Sequence, residues 1–120
     1  MFVYSWYMAA NIRLLRDNGW VFYHSPTCVF CVTQIASVGA SKFSWMPMVN
    51  CKEQPELCKE KGINAFPTWL NERTGQQHMG GITLINGDDT KLLEVLGSAN
   101  VRKEVKVNIK IGNNQQQIFA

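Results

Sequence analysis

The 120-residue chain has no dense basic block, although its formal net charge is +3. Its lysines are scattered, so the stripe or patch that nucleic-acid binding needs is missing, and no nucleic-acid partner is expected. Long hydrophobic runs are missing too. Residues 1–10 are apolar and aromatic, but Asn11 and Arg13 interrupt them well short of the roughly 20 residues that span a bilayer. No transmembrane segment is therefore expected. The same stretch lacks the positive start and clear cleavage site of a signal peptide, which makes an intracellular location the expectation. There is no internal repeat. Cysteine is sparse at four residues, which excludes a disulfide-dense secreted scaffold. Charged residues are only 18% against 46% hydrophobic, a globular rather than a disordered composition. The length suits one domain that needs no metal or disulfide staple, and no cofactor is expected.

Helical spacing of Val3, Tyr7, Ala10 and Leu14 predicts a helix over residues 2–17, stopped at Asn18-Gly19. The aromatic and β-branched run at residues 20–23 reads as a buried strand, ended by Ser25-Pro26-Thr27. Val29, Val32, Ile35 and Ala36 recur at helical spacing and predict a helix over residues 28–38. A short strand follows at 47–50. A helix then starts at Gln54-Pro55-Glu56 and ends at Lys61-Gly62. Residues 68–70 and 76–79 read as a hairpin turning at 72–75. Asp88 or Asp89 caps a helix that reaches Leu96 and stops at Gly97. Strict alternation of Val105, Val107, Ile109 and Ile111 with polar residues predicts a last strand, followed by a polar tail at 113–117. Helices and strands alternate early and a hairpin follows, so the expected fold class is α/β: a mixed β-sheet flanked by helices, with an N-terminal helix and a C-terminal strand extension. The domain would occupy residues 1–100, with the strand and tail at 101–120.

Cys28-Val29-Phe30-Cys31 falls where a buried strand meets a helix start. Only a thiolate attacks a disulfide, and an ordinary thiol with a pKa of about 8.5 is about 3% ionised at pH 7. Unpaired amides and the helix dipole at a first turn favour the anion. Roughly 2 kcal/mol of preferential stabilisation would leave half of such a thiol ionised at pH 7. A spacing of three puts Cys31 one turn inward, able to close on Cys28. The competing readings are a half-site for zinc completed by Cys51 and Cys58, inert thiols, or a structural bridge. Zinc knuckles are tight, and the six residues between Cys51 and Cys58 are too many for one, so no metal is expected.

A second stretch, Gly62-Ile63-Asn64-Ala65-Phe66-Pro67-Thr68, precedes the predicted third strand. Proline has no amide to donate and so sits at a strand's first residue or in a special turn. Together, residues 22–31 and 62–68 resemble the strand–CxxC–helix and the cis-proline loop of the thioredoxin superfamily. Within it, the chain is most similar to the thioredoxin-like domain fused to vitamin K epoxide reductase homologues, with Cys51 ending a strand and Cys58 shortly before Gly62. The resemblance implies a thioredoxin-like fold over residues 10–97. It casts Cys28 as the attacking thiolate and Cys31 as the resolving thiol. It also implies a cis Pro67, and a Phe66 backbone that pairs with a substrate peptide. The chain departs from the superfamily in having Val29-Phe30 between the cysteines, Phe22 where thioredoxins keep a buried acid, and Thr27 where a Trp is usual.

Cys51 and Cys58 form either a second redox pair, a structural disulfide or two buried thiols. Cys51 ends a strand rather than starting a helix, which favours the structural pair over the relay. His24 is either a cation tuning Cys28 or a polar residue at a strand end, and His78 is a solvated side chain in the hairpin. Gly80-Gly81 either lets a backbone approach the active face or makes an ordinary turn. Trp20, Trp45 and Trp69 are packing residues. The leading function is thiol–disulfide exchange on protein substrates carrying thiols or disulfides. The alternative is a non-catalytic thioredoxin-like module of a larger assembly, which meets its partner through residues 101–120 or the aromatic cluster Phe2, Tyr4, Trp6 and Tyr7.

Overall fold

A computed structural model describes residues 8–97 of the chain. The first half of the predicted leading helix, the aromatic cluster at residues 2–7, the strand at 104–111, the polar tail and the 100/101 boundary lie outside them. The elements are α1 (Ala10–Asp17), β1 (Trp20–His24), α2 (Val29–Val38), α3 (Ala40–Phe43), β2 (Met48–Asn50), α4 (Pro55–Glu60), β3 (Thr68–Asn71), β4 (Gln77–Met79) and α5 (Thr90–Leu92). The last helix runs on into a π turn at Leu93–Gly97.

The four strands form one mixed sheet in the order β2-β1-β3-β4. Strand β1 pairs in parallel with β2 and antiparallel with β3, and β4 pairs antiparallel with β3. Alternation along the central strands separates two cores. Trp20, Phe22 and Trp69 join Ala9, Ile12, Leu15, Val38, Phe43, Leu92 and Leu96 on one face. Tyr23 and Leu70 join Cys51, Cys58 and Ile63 on the other. Phe22 and Trp69 are register partners. Their rings, and those of Phe22 and Phe43, meet edge-on with centroids 4.8 Å apart, a favoured aromatic geometry. Each such ring adds about 1.5–3 kcal/mol by leaving water.

The turn between α1 and β1 depends on Gly19. Its φ is +99°, and a Cβ there would lie 2.9 Å from Asn71 Oδ1. Asn71 is wholly buried and organises the far hairpin: its Oδ1 accepts from the Arg73 and Thr74 amides, while its Nδ2 donates to the Asn18 carbonyl.

Several sequence expectations need correction. The buried face of α1 is Ile12 and Leu15, with Ala9 buried at its N-cap, while Leu14 is exposed. In α2 the buried residues are Cys31, Gln34 and Val38, not the stripe headed by Val29 and Val32. Both patterns have helical period, but sheet packing selects the other phase. Helix α3, which follows Gly39 directly, was not expected at all. The final helix is shorter than expected before it widens, and His78 is half-buried opposite Trp69 rather than solvated. Among the described residues, no helix is long and apolar enough to cross a membrane.

Candidate redox site

Strand β1 ends at His24, and a turn closed by the Cys28 amide on the Ser25 carbonyl (3.1 Å) delivers the chain to α2. Cys28 is the N-cap of that helix, with extended backbone (φ −88°, ψ 113°). A cap residue's side chain ordinarily offers an oxygen to the orphan amides of the first turn. Here a sulphur takes that place, accepting the Cys31 N–H at 3.1 Å. Both cysteines are free thiols, Cys28 half-buried and Cys31 only 1% exposed. The Cys31 thiol is pushed up to about 12. Burial is the largest cause, followed by the hydrogen bond and charge of Cys28, while a hydrogen bond from the Ser25 backbone opposes them.

The first turn of α2 displays its apolar side chains to solvent: Val29 is 72% and Phe30 71% exposed. Phe30 lines a groove of about 640 Å³ together with Phe66, Gln34, Gly80, Gly81 and Ile82. The Phe66–Pro67 peptide bond is cis. The Pro67 carbonyl accepts the Gly80 amide at 2.7 Å, which ties the proline turn to the segment after β4. The start of α2 and the residues before β3 thus border one cleft. Gly80 and Gly81 both line this cleft.

Cys51 and Cys58 are bonded to each other, with Cα atoms 5.7 Å apart. This is the paired arrangement, not the zinc set or two free thiols. Among the described residues no group of three or more His, Cys, Asp or Glu is arranged around one point. The pair packs in the second core and lines a smaller cavity of about 400 Å³ that Phe66 also borders. The Cys51 amide donates to the His24 carbonyl at 2.8 Å, so this bridge is anchored at the strand end that leads to Cys28.

The His24 imidazole stacks on Phe22 with centroids 5.9 Å apart. Burial lowers its pKa, with Glu53 opposing, so it is mostly neutral at pH 7. Phe22 is a fully buried core ring. Sequence reasoning passed over Gln34, a buried polar residue on the groove. Its signal was present: a Gln one turn after Cys31 in a helix otherwise made of apolar and small residues.

Compared with known proteins, the sequence matches no family model and no curated protein.

Proposed function

We propose that the chain is a thioredoxin-like thiol–disulfide oxidoreductase that acts on protein substrates through Cys28 and Cys31. The observation that carries the reading is the pairing of a half-exposed cap sulphur with a buried thiol one turn on, beside an apolar groove bordered by Phe66. The sheet order and the helix leaving the central strand at Cys28 support the thioredoxin-like reading. The resemblance to the domain fused to vitamin K epoxide reductase homologues belongs to the same proposal.

In the reducing direction, the Cys28 thiolate attacks one sulphur of a substrate disulfide. A Cys28–substrate bond forms, and the substrate's other sulphur leaves as a thiolate that takes up a proton. Cys31 then gives up its proton and attacks Cys28. The Cys28–Cys31 bond forms as the second substrate thiolate leaves, so two electrons and two protons reach the substrate. Two of the causes that raise Cys31 come from Cys28 itself. They fall away once Cys28 is bonded to substrate, which activates the resolving thiol when it is needed.

The test is Cys31→Ser. It should accumulate substrates disulfide-linked to Cys28, whereas Cys28→Ser accumulates none and wild type reduces insulin. No linked partner, with insulin reduction at background, would refute the activity.

A second reading is a non-catalytic thioredoxin-like interaction module. It is favoured by the core position of Phe22 and the neutral His24, which deprive the pair of an acid and a cation found near more active pairs. Under it, trapping and insulin reduction fail while the exposed apolar groove still binds polypeptide.

A further inference from the structure

Among the buried residues of α2, Gln34 is the polar one, only 3% exposed. Its side chain treats Ile82 as one strand treats another. Oε1 accepts the Ile82 N–H at 2.5 Å, and Nε2 donates to the Ile82 carbonyl at 3.0 Å. Nε2 also reaches Ser37 Oγ at 3.4 Å, and that hydroxyl donates to the Gln34 carbonyl at 2.8 Å. Ile82 lies beyond the end of β4 and belongs to the first core. Its two backbone groups are thereby satisfied by one carboxamide, where leaving them unpaired would be costly. Gly80, two residues earlier, hangs from the Pro67 carbonyl. The residue between, Gly81, has no side chain, and a Cβ there would come within 3.5 Å of Gln34 Oε1. Residues 80–82 are therefore suspended between the proline turn and α2, and all three line the groove.

We infer that Gln34 is a positioning residue for substrate binding: its carboxamide holds residues 80–82 in place as a wall of the groove that Phe30 and Phe66 share. This rests on the reading above and deepens it: an extended segment of the protein substrate occupies that groove. Gln34 sets how tightly the segment is held and does not take part in sulphur exchange.

The experiment compares wild type with Gln34→Leu, which keeps the volume and loses both hydrogen bonds to Ile82, and Gln34→Glu, which keeps an acceptor for the Ile82 amide. Three quantities are measured: insulin reduction, binding of cysteine-alkylated insulin B chain (which cannot exchange disulfides), and the rate of Cys28 alkylation by iodoacetamide. Gln34→Leu should raise KM and weaken B-chain binding, each by about tenfold, with Gln34→Glu intermediate. Both kcat and Cys28 alkylation should stay within about twofold, since no reacting atom is touched. Amide exchange should quicken at residues 80–82 and not in β3. The inference is overturned if KM and B-chain binding are unchanged, or if kcat and alkylation fall with them. Should Gln34→Leu not fold, Gln34→Glu carries the same comparison. If wild type reduces no insulin yet binds the alkylated chain, and the variants weaken that binding, the redox reading falls and the role of Gln34 stands. If wild type neither reduces nor binds, both fall.

Discussion

The backbone N–H of Cys31 points at the sulphur of Cys28 from 3.1 Å, so the more buried cysteine of the pair supports the more exposed one through its main chain while its own thiol is kept protonated. That division of labour makes the two sulphurs chemically unequal. At pH 7.5 a thiol near pKa 12 holds roughly one three-thousandth of the thiolate of an ordinary cysteine. Iodoacetamide should therefore modify Cys28 and leave Cys31 unmodified in the folded, reduced protein, as read by peptide mass mapping. Equal labelling of both would contradict the burial assigned to Cys31.

Phe30 is 71% exposed and borders the groove, so it contributes little to the folded state and much to what the groove can hold. Phe30→Gln should change stability by less than about 0.5 kcal/mol. It should also raise KM for insulin several-fold, because a large aromatic contact is lost. Urea melts and steady-state kinetics on one preparation separate the two effects.

The Cys51–Cys58 bridge closes a short loop, the two residues being 7 apart in sequence. Loop-closure entropy for a ring of that size corresponds to about 2–3 kcal/mol. In a Cys28→Ser, Cys31→Ser background, further replacement of Cys51 and Cys58 by Ser should lower unfolding stability by about that amount in denaturant titrations. A bridge that acts as a relay instead would be reduced by the wild-type Cys28–Cys31 dithiol, which mass mapping after thiol labelling would reveal.

Glu72 accepts the Tyr23 hydroxyl hydrogen bond and pairs with Lys61 Nζ at 3.1 Å. The Tyr23 bond is the main reason its carboxyl lies below 4.5, with burial opposing and Lys61 adding. A carboxylate whose folded pKa is depressed contributes stability above its unfolded pKa and loses it as pH falls through the folded one. Stability should thus decline on acidification below about pH 4.5, and Glu72→Gln should flatten that limb of the curve. Tyr23→Phe should flatten it too and cost about 1–2 kcal/mol at neutral pH, since Tyr23 is buried and its partner is charged. Thermal melts between pH 3 and 7 check both variants.

Much of the element order was legible along the chain, because the signals are local. Gly19 and Gly62 stop helices by accepting positive φ, Pro55 opens α4, and Pro67 precedes β3 since it has no amide for the ladder. The strand into Cys28 and the helix after it could be read from a change of period. Which side of each helix faces inward could not. Val29 and Val32 keep helical spacing as well as Cys31 and Gln34 do, and only the sheet beneath α2 chooses between them.

The residues by themselves determined that a cysteine would stand at a helix start and a proline at a strand start, since a few neighbouring dihedral preferences suffice for each. Tertiary structure alone decided that Cys51 bonds Cys58, that Phe30 and Phe66 border one groove, and that Gln34 meets Ile82. The last two relations join positions far apart in the chain, and the first needs the second core to bring two side chains together. Their geometry is set by how two cores pack against opposite faces of one twisted sheet, and no local preference encodes that.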